Sequence, residues 1–229
     1  KKTLATTLDE LGMKAGLLHR ASYPEYAAAY RDASRPLRGK PLPAPRPIAP
    51  RFFAPLDRPF RLVIAGSAGG KVRSAAKLAG EAALLSGLWA AQRDDYPITV
   101  KTGHSIAELI FSPREIDYTG ITRPDAMILL SREGVAKVGR QLAAMQPEDR
   151  VFALADAGEI KTKAQVRVID LAQAPMRLGS GQVALYSVAL ALTELGVFPV
   201  EALEAAATFR PGELATDNAK TIRAATGAG

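Results

Sequence analysis

The chain has 229 residues, 48% hydrophobic and 23% charged, with no cysteine, two histidines and a formal charge of +7. Without cysteine it carries no disulfide and cannot hold an iron–sulfur cluster through thiolates, and His19 and His104 alone argue against a zinc site, so no metal ligands are expected. No apolar run reaches the roughly 20 residues of a membrane-spanning helix, and the opening KKTLATTLDEL lacks a secretory apolar core, so a cytoplasmic protein with no membrane contact is expected.

The charge is unevenly spread. Residues 1–59 hold eleven Lys/Arg and five Asp/Glu, a net of +6, whereas residues 60–229 hold nineteen and eighteen. The basic character therefore belongs to a leading arm, and such an arm suits an acidic partner surface. The rest shows no basic stripe and no aromatic stacking motif, which argues against nucleic acid.

In chain order, Leu4, Leu8, Leu11, Ala15 and Leu18 form one apolar helical stripe over 3–20, weakened by Gly12 and Gly16. Ser22 and Glu25 have capping-box spacing for a second helix to about Asp32 that carries Tyr23, Tyr26 and Tyr30. Residues 1–34 thus read as a helical arm, which either covers the chain's own core or meets a partner. Residues 35–59 contain eight prolines, which forbid helix and favour an extended path. At about 3.1 Å per residue such a strap spans roughly 70 Å. Phe52, Phe53, Leu56 and Phe60 are its apolar anchors. We expect an arm that wraps another subunit.

From residue 60 to 210 the pattern alternates strand and helix. Arg61–Ala65 reads as a buried strand, followed by the glycine-rich turn Gly66-Ser67-Ala68-Gly69-Gly70-Lys71 and a helix with Val72, Ala75, Ala76, Ala79, Ala82 and Ala83 on helical spacing. Further strands are expected at 88–92, 106–111, 126–131, 150–155 and 165–169, with a helix over 132–145. Gly181 to Leu195 reads as a helix apolar almost all round, to be buried in the core or in an interface. Pro199 opens a last helix, 200–208. The tail, 211–229, has little to pack and is expected to follow a neighbour or fray. The fold class is α/β: a mainly parallel open sheet with helices on both faces, preceded by the helical and proline-rich arm.

The turn matches neither familiar phosphate template. Ala65 and Val72 break the Walker pattern, and Ala68 and Lys71 occupy glycine positions of the dinucleotide pattern. Its small residues serve either close helix–strand packing or the approach of a ligand, for which the helix-start amides favour an anion. A second polar stretch, Gln92 to Ser105, is expected to lie near the turn. There Lys101, Thr102, Gly103, His104 and Ser105 offer a cation, amides, an imidazole and a hydroxyl, or else form an ordinary surface loop. His104, Ser105 and Asp94 or Asp95 do not make a nucleophilic triad, because adjacent strand residues point apart and no nucleophile elbow is present. Asp94 and Asp95 stand where a dinucleotide fold has its ribose-binding acid, but without the glycines. Asp125 reads as a turn residue. No catalytic set is expected on this chain, and a free-standing nucleotide-binding α/β enzyme is the alternative reading.

Together these stretches resemble the gamma subunit, or gamma domain, of the thiamine-dependent 2-oxoacid:acceptor (ferredoxin) oxidoreductases, which include the pyruvate, 2-ketoisovalerate, indolepyruvate and phenylglyoxylate enzymes. That family has a strand, a G-x-G-G-Q-G turn and a helix beginning V-x-[ST]-A-x-K. Here these are Gly66 to Lys71, then Val72, Ser74, Ala75 and Lys77. A tyrosine loop and R-G-G-x-[SA] correspond to Tyr96 and Lys101-Thr102-Gly103-His104-Ser105, and a P-D strand to Pro124 through Leu130. The late apolar helix corresponds to 181–195. Ala68, Gly70 and Lys71 replace Gly, Gln and Gly, Lys101 and Thr102 replace Arg and Gly, and Thr99 stands for the usual Glu. Residues 1–58 have no counterpart. The resemblance implies a hetero-oligomer with thiamine-binding alpha and beta subunits and a ferredoxin-like delta subunit. Thiamine diphosphate, magnesium and [4Fe-4S] clusters would lie on those partners. This chain would help accommodate coenzyme A, at Gly66 to Lys71 and Lys101 to Ser105, and hold the assembly together.

Overall fold

The computed structural model describes residues 49–95, 103–208 and 213–227. The chain divides into two units, Lys1–Pro47 and Ile48–Gly229, and the description concerns the second. The expected arm helices, most of the proline strap, Tyr96, Thr99, Lys101 and Thr102 lie outside the described residues.

A six-stranded sheet carries the fold. In chain order its strands are β1 (Phe60–Ser67), β2 (Trp89–Asp95), β3 (His104–Ser112), β4 (Ala126–Leu129), β5 (Arg150–Leu154) and β6 (Gln165–Ile169). They lie in the order β2-β3-β1-β4-β5-β6. β1, β4, β5 and β6 run parallel, while β3 is antiparallel to both β1 and β2. The helix α1 (Val72–Leu85) therefore joins two parallel strands, β1 and β2, between which β3 is inserted. The sheet is mostly parallel as expected, with this split βαβ unit at one side.

β1 sits near the middle. Leu62, Val63, Ile64 and Ala65 are fully buried, as a run apolar on both faces must be when helices cover both. The alternation of side chains shows which helices do so. On β3, Phe111 meets Phe198 edge-on, with ring centroids 5.6 Å apart, next to α4 (Val183–Leu195) and α5 (Val200–Ala207). Glu108, of opposite parity, accepts a hydrogen bond of 2.7 Å from Gln141. Gln141 lies in α3 (Gly139–Ala144), which follows α2 (Arg132–Lys137). The single helix expected over 132–145 is thus two short ones, joined at Val138, with Gln141 also donating to Ile121 O at 2.9 Å.

The strap's far end is tied down. The amides of Arg51 and Phe52 both donate to Leu85 O, at 2.7 and 3.0 Å, which satisfies a carbonyl at the end of α1. Phe52, Leu56 and Phe60 pack on the core, but Phe53, expected to anchor with them, is 83% exposed.

The C-terminal tail departs from expectation. Residues Glu213–Thr226 form a helix, α6, that packs on α4 and α5. Ala215, Ala219 and Ile222 fall on one face and are buried. Gln182 donates to Thr221 Oγ1 at 3.1 Å, and Arg223 pairs with Glu204 of α5 at 3.1 Å. The physical reason lies in α4. A helix apolar almost all round leaves a side that the sheet does not cover, and α6 covers it. Among the described residues no helix is long and apolar enough to cross a membrane. If α6 is part of the core, Ile222→Ala lowers unfolding stability by about 2–5 kcal/mol, read by urea denaturation; a frayed tail would give no change.

Candidate functional site at the glycine turn

The turn sits at the carboxyl end of β1, clamped from two sides. A Cβ on Gly66 would stand 3.0 Å from Val72 Cγ2 and 3.2 Å from Leu130 Cβ. A Cβ on Gly134, in α2, would stand 2.6 Å from the carbonyl carbon of Ala65. Here the glycines serve packing: each lets a helix start lie against the strand backbone. Beyond them the turn changes character. Gly69 has φ 84°, and a Cβ there would meet nothing within 4 Å. Gly70 N donates to Ser67 O at 3.1 Å, and Ala68 N donates to Gly103 O at 2.8 Å. The second contact brings the Gly103-His104-Ser105 stretch beside the turn, as the sequence suggested.

Lys71 is the N-cap of α1, with φ 61° and ψ 18°, and its side chain makes no capping bond. An L-residue in the left-handed region costs about 1–2 kcal/mol. Ala75 N bonds to Lys71 O, so the amides of Val72, Arg73 and Ser74 have no partner within the helix. They open toward a cavity of about 480 Å³ lined by Gly69, Lys71, Arg73, Lys77, Gln92, Asp94 and Ser105. Arg73 Nε donates to Asp94 Oδ2 at 3.0 Å, and Gln92 donates to Asp94 Oδ1 at 2.8 Å, so this carboxylate is engaged. Lys71 and Lys77 make no ion pair among the described residues. Three cations against one carboxylate leave the cavity electropositive.

His104 and Ser105 lie on opposite faces of β3. Ser105 lines the cavity beside α1. His104 turns to the other face, its Nε2 buried, 3.5 Å from Asp95 Oδ2 and without a hydrogen bond. The two do not converge on one reacting atom. Gln92 to Asp95, expected as part of a loop, continue β2 instead. Asp125 accepts from Arg61 N and from Arg58, both at 2.7 Å, and so pins the start of β1.

Two carboxylates escaped sequence reading. Glu133 accepts a hydrogen bond of 3.0 Å from the Ser67 hydroxyl. Bonds from its own amide, Ser131 and Ser67 hold its carboxyl below the ordinary carboxylate range, so this tie persists above that lowered pKa and is lost as the pH falls through it. Glu108 is 9% exposed and accepts from Arg93 Nε at 2.9 Å. Its signal was legible: one acid in an otherwise apolar strand must find partners. A larger cavity, about 760 Å³, lies at the opposite end of the sheet. Its Arg58 and Arg123 are taken by Asp125 at 2.7 Å and Asp149 at 3.0 Å, so it offers less free charge than the turn.

Residues 61–228, which include both the turn and α6, match the family model for pyruvate ferredoxin/flavodoxin oxidoreductase. The chain belongs to this family. Among curated proteins there is no match. Among solved structures, the keto/oxoacid ferredoxin oxidoreductase gamma subunit of Geobacter sulfurreducens PCA is similar at TM-score 0.60 and 20% identity, over 73% of this chain and 96% of that one. Pyruvate oxidoreductase subunit PORC of Thermotoga maritima is similar at 0.57 and 17%, over 75% and 97%. The 2-oxoglutarate:ferredoxin oxidoreductase of Magnetococcus marinus, with 2-oxoglutarate, coenzyme A and succinyl-CoA bound, is similar at 0.58 and 16%, over 76% of this chain but 32% of its own. This member of the oxidoreductase family therefore shares the fold of two separate subunits and of one part of a longer chain.

The clamp on β1 is directly testable. Gly134→Ala forces a methyl into the Ala65 backbone and is expected to cost about 1–3 kcal/mol, whereas Gly139→Ala, with nothing within 4 Å, is expected to be neutral or to stabilise by up to about 1 kcal/mol. Thermal melting of the two variants separates a packing glycine from a merely helical one.

Proposed function

We propose that this chain is the gamma subunit of a multi-subunit 2-oxoacid:acceptor oxidoreductase. The overall reaction joins a 2-oxoacid and coenzyme A to give acyl-CoA, carbon dioxide, two electrons and a proton. In this reading thiamine diphosphate with magnesium, and the [4Fe-4S] clusters, belong to alpha, beta and delta partners. This chain contributes assembly and accommodates coenzyme A at Gly66 to Lys71 and at Lys101 to Ser105. The observation that carries the reading is the family match over residues 61–228, joined to an electropositive cavity at the turn and to the absence of any thiol. The presence of coenzyme A in the Magnetococcus marinus structure favours the acyl-acceptor part. The basic arm fits an acidic surface on a partner, and its proline strap supplies the reach.

The experiment is affinity isolation of the tagged full chain from its native extract. Cysteine-rich partners and coenzyme A-dependent oxoacid oxidation should accompany it, and the chain purified alone should be inactive. A purified chain that oxidises a 2-oxoacid by itself, or that recovers no partner, would falsify the assignment. Deleting residues 1–47 should lower the yield of the complex without unfolding the α/β unit, as checked by circular dichroism.

A further inference from the structure

We infer that Lys71 is held in a strained backbone conformation because its ammonium binds a doubly charged phosphate group in the cavity at the start of α1. The inference rests on the reading that the turn accommodates coenzyme A, and it names the chemistry of the contact.

Strain is the first observation. Among the described residues Lys71 is the single non-glycine with positive φ. Glycine would adopt φ 61° without cost, and it is glycine that the resembled turn carries at this position. Backbone strain of this kind persists where the surrounding structure imposes it, and it clusters at ligand-binding sites. The side chain is exposed, its stem runs beside Gly181, and its ammonium forms no ion pair or hydrogen bond among the described residues.

The second observation is independent of it. Ser105 is 7% exposed and lines the same cavity, and its hydroxyl has no hydrogen-bond partner among the described residues. This largely buried side chain keeps its hydroxyl free at the cavity wall, where it stands together with the uncapped amides of α1 as a donor for a bound anion. Lys77 stands on the same helix and lines the cavity as a second unpaired cation. Asp94, the cavity's own carboxylate, is already engaged by Arg73 and Gln92. Amide donors, a hydroxyl and two ammonium groups match a phosphate oxygen cluster carrying two negative charges. Coenzyme A offers that chemistry twice, in its diphosphate and in its 3′-phosphate.

Calorimetric titration of the full chain with inorganic pyrophosphate at low ionic strength tests the site. The native chain should bind, and Lys71→Gly should bind about tenfold more weakly or worse. Lys71→Gly should also melt higher, by roughly 2–4 °C, because the strain is gone. Lys71→Arg, which keeps both cation and strain, should retain binding and the native melting temperature. No binding by the native chain, native-like binding by Lys71→Gly, or a lowered melting temperature in that variant each overturns the proposal. If the chain still assembles with its partners in those cases, the subunit assignment stands. In the assembled enzyme, Lys71→Gly should raise KM for coenzyme A. An equal rise for dephospho-coenzyme A assigns the diphosphate, and a rise for coenzyme A alone assigns the 3′-phosphate. Loss of pyrophosphate binding with neither KM moved overturns the link to coenzyme A.

Discussion

The carboxyl end of β1 is where this structure is most constrained. Two helix starts and the end of β4 converge on Ala65 and Gly66 at distances that admit no side chain. Leu130 N also donates to Ala65 O at 2.7 Å, so a carbonyl near the strand's end is tied as its flanks are pressed. With that end fixed, α1 must begin within a few residues, and its uncapped first turn must face the cavity between itself and β2. The place of the cavity is thus a consequence of how tightly the strand is enclosed, and its positive charge comes from Lys71, Arg73 and Lys77 along its wall.

Two networks of charge stabilise the enclosure from opposite faces. On one face Glu108 gathers Arg93 and Gln141 and ties β2, β3 and α3 together. On the other, Asp94 gathers Arg73 and Gln92 and holds α1 against β2. Both use a carboxylate on a strand to fix a helix. The difference is burial: Glu108 needs its partners because it is nearly closed off from water, whereas Asp94 also lies at the rim of the site. At the turn itself the arrangement is reversed: Glu133, a carboxylate on α2, accepts from the Ser67 hydroxyl at the end of β1.

Family membership and geometry speak to different parts of the function. The family match places this chain among the pyruvate ferredoxin/flavodoxin oxidoreductases. The residues at the turn concern what is particular to it. Its glycines divide into those that pack and those that turn, and the one non-glycine with positive φ among the described residues is a lysine. A packing element would gain little from that choice, since the ammonium meets no partner among the described residues. A binding element gains a cation at the mouth of a cavity already lined by amides and a hydroxyl.

The alternation of short apolar strands with alanine-rich and apolar helices was enough to read the α/β class, the order of elements and the strand at Gln165–Ile169, because periodicity and small-residue turns are local properties. The turn at 66–71 was visible for the same reason, whereas its nearness to Gly103 was expected only from where loops gather at the carboxyl ends of strands in an open α/β sheet. Sequence could not show that β3 inserts antiparallel between β1 and β2, because strand order depends on which edges meet in space. Nor could it show that Ala215, Ala219 and Ile222 form a buried face. Three small or isolated apolar residues signal a helix only when a surface such as α4 stands ready to receive them. The opposite facing of His104 and Ser105 followed from strand alternation alone, whereas the division of the glycines and the strain at Lys71 were likewise decided by tertiary packing. The latter two depend on distances between segments far apart in the chain, and those do not exist until the sheet has closed around β1.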